Sequence, residues 1–182
     1  MKTLLKRSLL LFPLMMSLTL ADTEKSATGI VMDFGAVDTL VVLDKTDAIS
    51  ALPMRNLPAY LKELNTADIK DGGGMKEPNL EIYAELKPEF IVISPRLGGK
   101  VEELTEYAPV LNFTVNPEDY YASASQNILA LAKLVDAEES ANASLNQLNA
   151  QLDVIKETIG NSDKTALTMM HNADNLFASP TS

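Results

Sequence analysis

The sequence contains no cysteine, no tryptophan and a single histidine, His171. Without cysteine the chain can form no disulfide, no thiolate metal site and no lipid-modified cysteine. One histidine does not supply the several nitrogen or sulfur ligands that a transition-metal site needs. We therefore predict no protein-held metal. We interpret His171 as a hydrogen-bonded residue at a strand end, with a pH-sensitive or ligand role as the alternative.

Basic residues are also scarce. The chain has 15 Lys and Arg against 25 Asp and Glu, which gives a formal net charge of -10. Nucleic-acid binding needs clustered Lys and Arg, so we expect no nucleic-acid partner. An anionic ligand is still compatible with this balance. Salt screens surface charges over about 8 Å, so the cations inside a cleft decide what it binds.

The first 21 residues have the order of a secretory signal peptide. Lys2, Lys6 and Arg7 are basic, residues 9–20 are apolar, and Ala21 ends a small-residue cleavage site. A membrane anchor is the alternative, but the segment is short for a span and contains a proline. We expect cleavage, and a soluble protein of the Gram-negative periplasm that carries no lipid.

The stretch 78–96 predicts a helix followed by a buried strand. Apolar residues recur at helical spacing from Leu80 to Leu86, and Pro88 ends the helix. Residues 90–93 show no polar alternation, which is typical of a parallel strand buried on both faces. Arg96 then lies just past the carboxyl end of that strand. Open α/β sheets bind ligands at this edge.

Similar patterns recur along the chain and predict further elements. We expect strands over 29–34, 48–52 and 110–113 and a short one ending at Asp71, with helices over 38–43, 57–64, 101–107 and 119–135. This alternation predicts an α/β fold with an open, mostly parallel sheet and helices on both faces. The glycine run 72–74 lacks the Lys-Ser/Thr of a phosphate-binding loop, so we interpret it as a tight turn beside the cleft.

A long polar helix with a narrow apolar stripe follows. Apolar residues from Ala141 to Ile159 recur in steps of four and three, and Gly160 is a natural stop. Such a helix spans on the order of 34 Å. A coiled coil is the alternative. Residues 165–171 and 176–178 then predict two paired strands around a turn at 172–175.

Four separated segments together resemble a known family. They occur in the family's order and are Ile30–Leu40, Asn56–Leu61, Pro78–Arg96 and Tyr107–Val110. The chain is similar, from about Ile30 to Ser182, to the periplasmic iron–siderophore binding proteins of ABC importers. Within that family it resembles the subgroup that takes catecholate-type or petrobactin-type ferric complexes.

The resemblance implies a division of the chain. Residues 1–21 form the signal peptide, 22–136 an N-terminal α/β lobe, 137–160 the rigid helix that links two lobes, and 161–182 the start of a C-terminal lobe. Because the sequence stops inside a motif of that second lobe, we interpret it as a truncation, natural or otherwise.

The resemblance also implies a function. The chain is expected to be the substrate-binding component of an iron(III)–siderophore ABC transport system. It would bind an anionic ferric complex in a cleft, deliver it to the inner-membrane permease and work as a monomer without a cofactor. Cobalamin or haem is an alternative cargo, and a truncated envelope protein that transports nothing is a third possibility. No catalytic constellation is present, so an enzyme is not expected.

Five residues are candidates for ligand contact. The resemblance implies that Arg96 binds the anionic donor groups, since its planar fork donates several charge-assisted hydrogen bonds; the alternative is a surface or salt-bridged arginine. Arg55 and Asn56, after the second strand, reach the same edge. Met54 is either an apolar cleft wall or core, and Lys100 is the weakest candidate.

Overall fold

The computed structural model describes residues 27–160, 167–172 and 175–179. The predicted signal peptide lies outside the described residues, as do residues 161–166 of the predicted second lobe. In the described part of the chain, no helix combines the length and the apolar character needed to cross a bilayer.

The helices and strands alternate along the chain. They are β1 (Gly29–Met32), α1 (Phe34–Val42), β2 (Ile49–Leu52), β3 (Lys70–Asp71), α2 (Leu80–Leu86), β4 (Phe90–Ile93), α3 (Val101–Thr105), β5 (Val110–Asn112), α4 (Tyr120–Leu134), α5 (Glu138–Gly160), β6 (Thr168–Asn172) and β7 (Asn175–Ser179).

The first five strands form one parallel sheet, in the order β3-β2-β1-β4-β5. The chain moves outward from β1 to β3 on one side and then returns to place β4 on the other side of β1. The strand order therefore reverses at the β1–β4 pair. In open α/β sheets the crevice outside the carboxyl ends of the strands at such a reversal is the usual ligand site. The predicted open parallel sheet is confirmed.

Successive residues of the central strands supply two separate cores, because side chains alternate between the faces of a strand. Val31 and Val92 pack on one face with α1, α4 and the start of α5. Ile30 and Ile91 pack on the other face with α2 and α3. Helices therefore cover both faces of the sheet. This explains why β1 and β4 are wholly buried and read as continuous apolar runs.

The helix predicted over 38–43 begins earlier than expected. Asp33 adopts an extended conformation, and its carboxylate accepts a hydrogen bond from the backbone N–H of Ala36 at 3.0 Å. This cap starts α1 at Phe34, directly after β1. Gly35 therefore lies in the first turn of the helix.

The helix predicted over 57–64 was also wrong in type. Residues 54–56 and 59–64 form two 3₁₀ segments, and no side-chain cap from Asn56 is formed. Pro58 lies between the two segments, and a proline lacks the N–H that a continuous helix would use there. Leu61 is nevertheless buried, as the pattern predicted.

The glycine run forms the turn that the sequence predicted. Gly73 has a φ of 101°, and a Cβ on it would lie 2.5 Å from the backbone nitrogen of Asn79. Only glycine fits that conformation and that close approach. The backbone N–H of Gly72 donates to the Leu52 carbonyl at 2.8 Å, which ties this turn to the end of β2.

The long helix exposes half of the six residues of its apolar stripe. Ala141 is buried and Leu145 and Leu152 are half-buried, but Leu148 is 41% exposed and Ile155 50% exposed. Leu148 and Ile155 therefore belong to the part of the stripe that the described residues leave uncovered. Beyond its first turns, α5 has too few neighbours in the described part of the chain to bury a whole face.

The two strands predicted near the end of the chain form an antiparallel hairpin. In it Met170 pairs with Phe177 and Asn172 pairs with Asn175. His171 lies in β6, and its side chain is outside the described part of the structure.

Alanine substitutions at two leucines compare the stability contribution of the buried core with that of the exposed stripe of α5. Leu131 of α4 is fully buried, so Leu131→Ala should lower the free energy of unfolding by about 2–5 kcal/mol. Leu148→Ala should lower it by less than about 1 kcal/mol, because much of that side chain already contacts water. Urea denaturation of both variants measures the difference. Equal losses would contradict the description of α5.

Candidate functional site

A depression runs along the carboxyl edge of the sheet, and we call it the strand-end cleft. It consists of two adjoining hollows of 530 and 450 Å³ that share Asn56, Met75 and Arg96. Volumes of this order fall within the range of small-molecule sites, about 300–1,000 Å³. The first hollow is also lined by Asp33, Phe34, Gly35, Ser94 and Pro95, and the second by Arg55, Gly74, Lys76 and Glu77.

Strand pairing places two polar residues side by side in this cleft. Met32 and Ile93 are the last paired residues of β1 and β4, so Asp33 and Ser94 directly follow that pair. Neighbouring strands lie about 5 Å apart. Both residues therefore line the first hollow at the reversal of strand order.

Asp33 is half-buried, and it both caps a helix and lines the cleft. One carboxylate oxygen caps α1, while the residue as a whole lines the cleft. Burial raises the pKa of the Asp33 carboxyl above its ordinary value of 3.8. Hydrogen bonds from the backbone N–H groups of Ala36 and Gly35 oppose this rise, and the nearby Asp38 carboxylate adds to it.

Ser94 is a buried polar residue with an unused hydroxyl. It is 3% exposed, and its Oγ has no hydrogen-bond partner among the described residues. A buried donor without a partner costs about 1–3 kcal/mol. Natural structures contain few such groups, so this hydroxyl calls for an explanation.

Three of the five candidate residues meet in the cleft. Arg96 and Asn56 line both hollows, and Arg55 lines the second. All three are exposed. Within the described part of the chain neither arginine forms an ion pair, since the two ion pairs found there join Lys100 to Glu103 and Lys156 to Asp153. Both guanidinium groups are therefore free to bind an anion.

The other two candidates lie elsewhere. Met54 is half-buried and packs against the core on the α1 side of the sheet. Of the two predictions for this residue, an apolar wall of the cleft or a core position, its packing corresponds to the second. Lys100 does not line the cleft. Its Nζ lies 2.7 Å from the Glu103 carboxylate, which raises the pKa of Lys100 and uses its charge locally.

Several cleft residues were not found by sequence reasoning. Ser94 follows the strand predicted over 90–93, and the rule that singled out Arg96 could have found it. Asp33 was missed because the first strand was predicted to run to residue 34, whereas β1 ends at Met32. Met75 and Lys76 reach the cleft through the glycine turn and its bridge between Gly73 and Pro78. No sequence signal gives the direction in which that turn carries the chain.

The charges of the cleft differ from those of the whole protein. Its lining contains three cations, Arg55, Lys76 and Arg96, and two acids, Asp33 and Glu77. A chain with a net charge of -10 therefore concentrates positive charge at this edge. Guanidinium groups recognise carboxylate, phosphate and similar planar anions by charge-assisted hydrogen bonds.

A metal site is not apparent in the part of the chain that the structure describes. No group of three or more His, Asp or Glu side chains there is placed to hold a metal ion. The cations that line the cleft suit it to binding an anionic group through hydrogen bonds and charge.

A second depression is less suited to a charged ligand. It is an apolar groove of 260 Å³ between α1, α4 and α5, lined in part by Val42, Ile128 and Leu145. It offers few polar groups for orienting a small ligand, which binding sites normally provide.

Comparison with known proteins finds relatives that have the same α/β architecture as this chain. The profile of the periplasmic binding protein family matches residues 20–181. The chain is 30% identical over 149 residues to the petrobactin-binding protein YclQ of Bacillus subtilis, covering 82% of this chain and 47% of that protein. It is 26% identical to the ferric-anguibactin-binding protein FatB of Vibrio anguillarum, covering 78% of this chain and 45% of FatB.

Solved structures agree with the sequence matches. The crystal structure of YclQ superposes with a TM-score of 0.77 at 29% identity, covering 85% of this chain and 54% of that one. The iron-uptake ABC transporter substrate-binding protein PiuA of Streptococcus pneumoniae gives 0.76 at 32% identity, with coverages of 85% and 55%. The chain therefore spans about half the length of the curated relatives it matches.

The raised pKa of Asp33 predicts a pH effect on stability. The folded state binds this proton more tightly than the unfolded chain does. The stability that this adds is therefore fully present below pH 3.8 and is lost as the pH rises through the folded pKa. Asn also caps helices, so Asp33→Asn should remove this dependence while keeping the cap.

Urea denaturation at several pH values, from below 3.8 to neutral, measures this effect. Relative to Asp33→Asn, the wild type should lose stability as the pH rises. Asp33→Ala serves as the control for the cap and should cost about 0.5–2 kcal/mol. A difference between wild type and Asp33→Asn that stays constant or grows in favour of the wild type with pH would contradict the assignment.

Proposed function

The chain belongs to the periplasmic binding protein family, and we propose that it supplies the N-terminal half of a cleft that binds an anionic ferric siderophore for an ABC importer. The observation that carries this proposal is the pair of free guanidinium groups at the carboxyl edge of the sheet. Arg96 and Arg55 follow β4 and β2, and each lines the strand-end cleft.

The chemistry of a ferric catecholate suits these groups. Catecholate oxygens around iron(III) carry net negative charge on the outside of the complex. Arginine stays charged at all relevant pH values and donates several hydrogen bonds from a rigid plane. Recognition of this kind holds the complex by its outer oxygens and needs no protein ligand to the iron. The relatives named for petrobactin and for ferric anguibactin support a ferric siderophore as cargo.

The same family supports a proposal for location and partner. Its members are binding proteins of the periplasm or cell exterior, and a transporter-linked relative, PiuA, is among the solved structures. We propose that residues 1–21 direct export, that the chain carries no lipid, and that it works as a monomer that passes its cargo to an inner-membrane permease.

One half of a cleft is expected to bind weakly. A nanomolar receptor needs about -12 kcal/mol, whereas one hydrogen-bonded charge contributes about 1.5–3 kcal/mol. The strand-end cleft is open to water, which screens its charges. The additional length of the curated relatives is expected to supply a second wall that excludes this water.

Calorimetric titration of the full chain with a ferric tris-catecholate tests the proposal. We expect a dissociation constant in the micromolar range or weaker. Arg96→Ala should weaken binding by about tenfold or more, because a charge-assisted contact is lost. Lys62→Ala, which removes an exposed cation that does not line the cleft, should leave binding unchanged.

Three results would count against the proposal. Equal effects of the Arg96 and Lys62 substitutions would show that the cleft does not hold the complex. A sub-micromolar constant for this chain would show that half a cleft suffices. A two-lobed version of the protein that binds no ferric siderophore would overturn the function itself.

A further inference from the structure

The first hollow of the strand-end cleft contains opposite charges that do not neutralise each other. Arg96 and Asp33 both line it, yet no contact within 4.0 Å joins guanidinium and carboxylate among the described residues. Asp33 caps α1, but its carboxylate also lines the hollow, where a like charge would weaken the binding of a simple anion. If Arg96 and Asp33 served only to stabilise the fold, they would be expected to form an ion pair. The hollow is instead complementary to a cargo with two kinds of group.

The hydrogen-bonding capacity of this hollow is also only partly used. The Asp33 carboxylate accepts hydrogen bonds from the backbone N–H groups of Ala36 and Gly35, while an ionised carboxylate offers about four acceptor positions. Ser94 follows the strand paired with β1, and its buried hydroxyl has no partner in the described part of the protein. Two groups able to accept a hydrogen bond thus lie at the ends of paired strands.

We propose that Asp33 and Ser94 form an acceptor subsite for an ammonium group that the cargo carries beside its anionic metal-binding groups. This inference rests on the proposed function and adds a specificity to it. Arg96 holds the anionic part of the complex, and Asp33 holds the cationic part at the reversal of strand order. The Ser94 hydroxyl is covered by protein in this structure, so this subsite requires it to rotate about χ1 to reach the ammonium group.

Burial of Asp33 agrees with this assignment. Burial without a countercharge raises the pKa of the Asp33 carboxyl. An ammonium group in the hollow would provide the missing opposite charge, which favours the ionised carboxylate. The free-energy cost of burying the Asp33 carboxylate is then offset when the ammonium group is bound.

A matched pair of ligands tests the subsite. The probes are the ferric complexes of two synthetic bis-catecholates that differ in one linker atom, a secondary amine in one and an ether oxygen in the other. At neutral pH the amine is charged, and the rest of the two complexes is the same. Calorimetry with the full chain gives both dissociation constants.

We expect the wild type to prefer the amine complex by about tenfold, the value of one charge-assisted hydrogen bond. Asp33→Asn keeps the helix cap, and it should abolish the preference for the amine complex. Ser94→Ala should weaken binding of the amine complex by about threefold, since a neutral hydrogen bond is worth less. Asp47→Asn, an exposed acid outside the cleft, is the charge-matched control and should keep the preference.

The outcomes separate this inference from the function on which it rests. Binding of both complexes with equal strength by the wild type would overturn the subsite and leave the proposed function standing. A preference that survives in Asp33→Asn would also overturn it, and unchanged binding by Ser94→Ala would remove Ser94 from it. If the wild type binds neither complex, the proposed function and the subsite both fail.

Discussion

The in-register parallel pairing of β1 with β4 is the constraint on which the cleft depends. It aligns Met32 with Ile93, so the residues that follow each strand emerge together at one edge. Apolar side chains on both faces hold this pair between two layers of helices. A slip of one residue would turn every side chain to the opposite face, so the register is strongly fixed. The position of Asp33 beside Ser94, and of Arg96 just beyond, is a consequence of core packing.

Sequence reasoning succeeded where the signal is local and periodic. The unbroken apolar run at 90–93 indicated a strand covered on both faces, and Pro88 marked the end of the preceding helix. Arg96 was found because it follows such a strand. Sequence reasoning failed where two local signals compete. Asp33 was assigned to a strand and the next helix was expected to begin at Asp38, since nothing in the sequence shows that the Asp33 carboxylate starts a helix at once.

The rest of the site depends on contacts that are distant in sequence. Met75 and Lys76 line the cleft because the backbone of Gly72 is tied to the end of β2 and Gly73 takes a conformation closed to other residues. The apolar stripe of α5 was correctly identified as periodic, but its burial depends on what packs against it. Periodicity gives the direction of an apolar face, whereas its partner is a property of the tertiary structure.

We propose that the ligand binds at the carboxyl edge of the sheet rather than in the apolar groove between α1 and α5. The most direct test is nuclear magnetic resonance of the isotopically labelled full chain, titrated with the gallium(III) form of a tris-catecholate, which is diamagnetic. Backbone amide shifts should concentrate at Gly35, Asn56, Met75, Ser94 and Arg96. Shifts that concentrate instead at Val42, Leu145 and Leu148 would contradict the account.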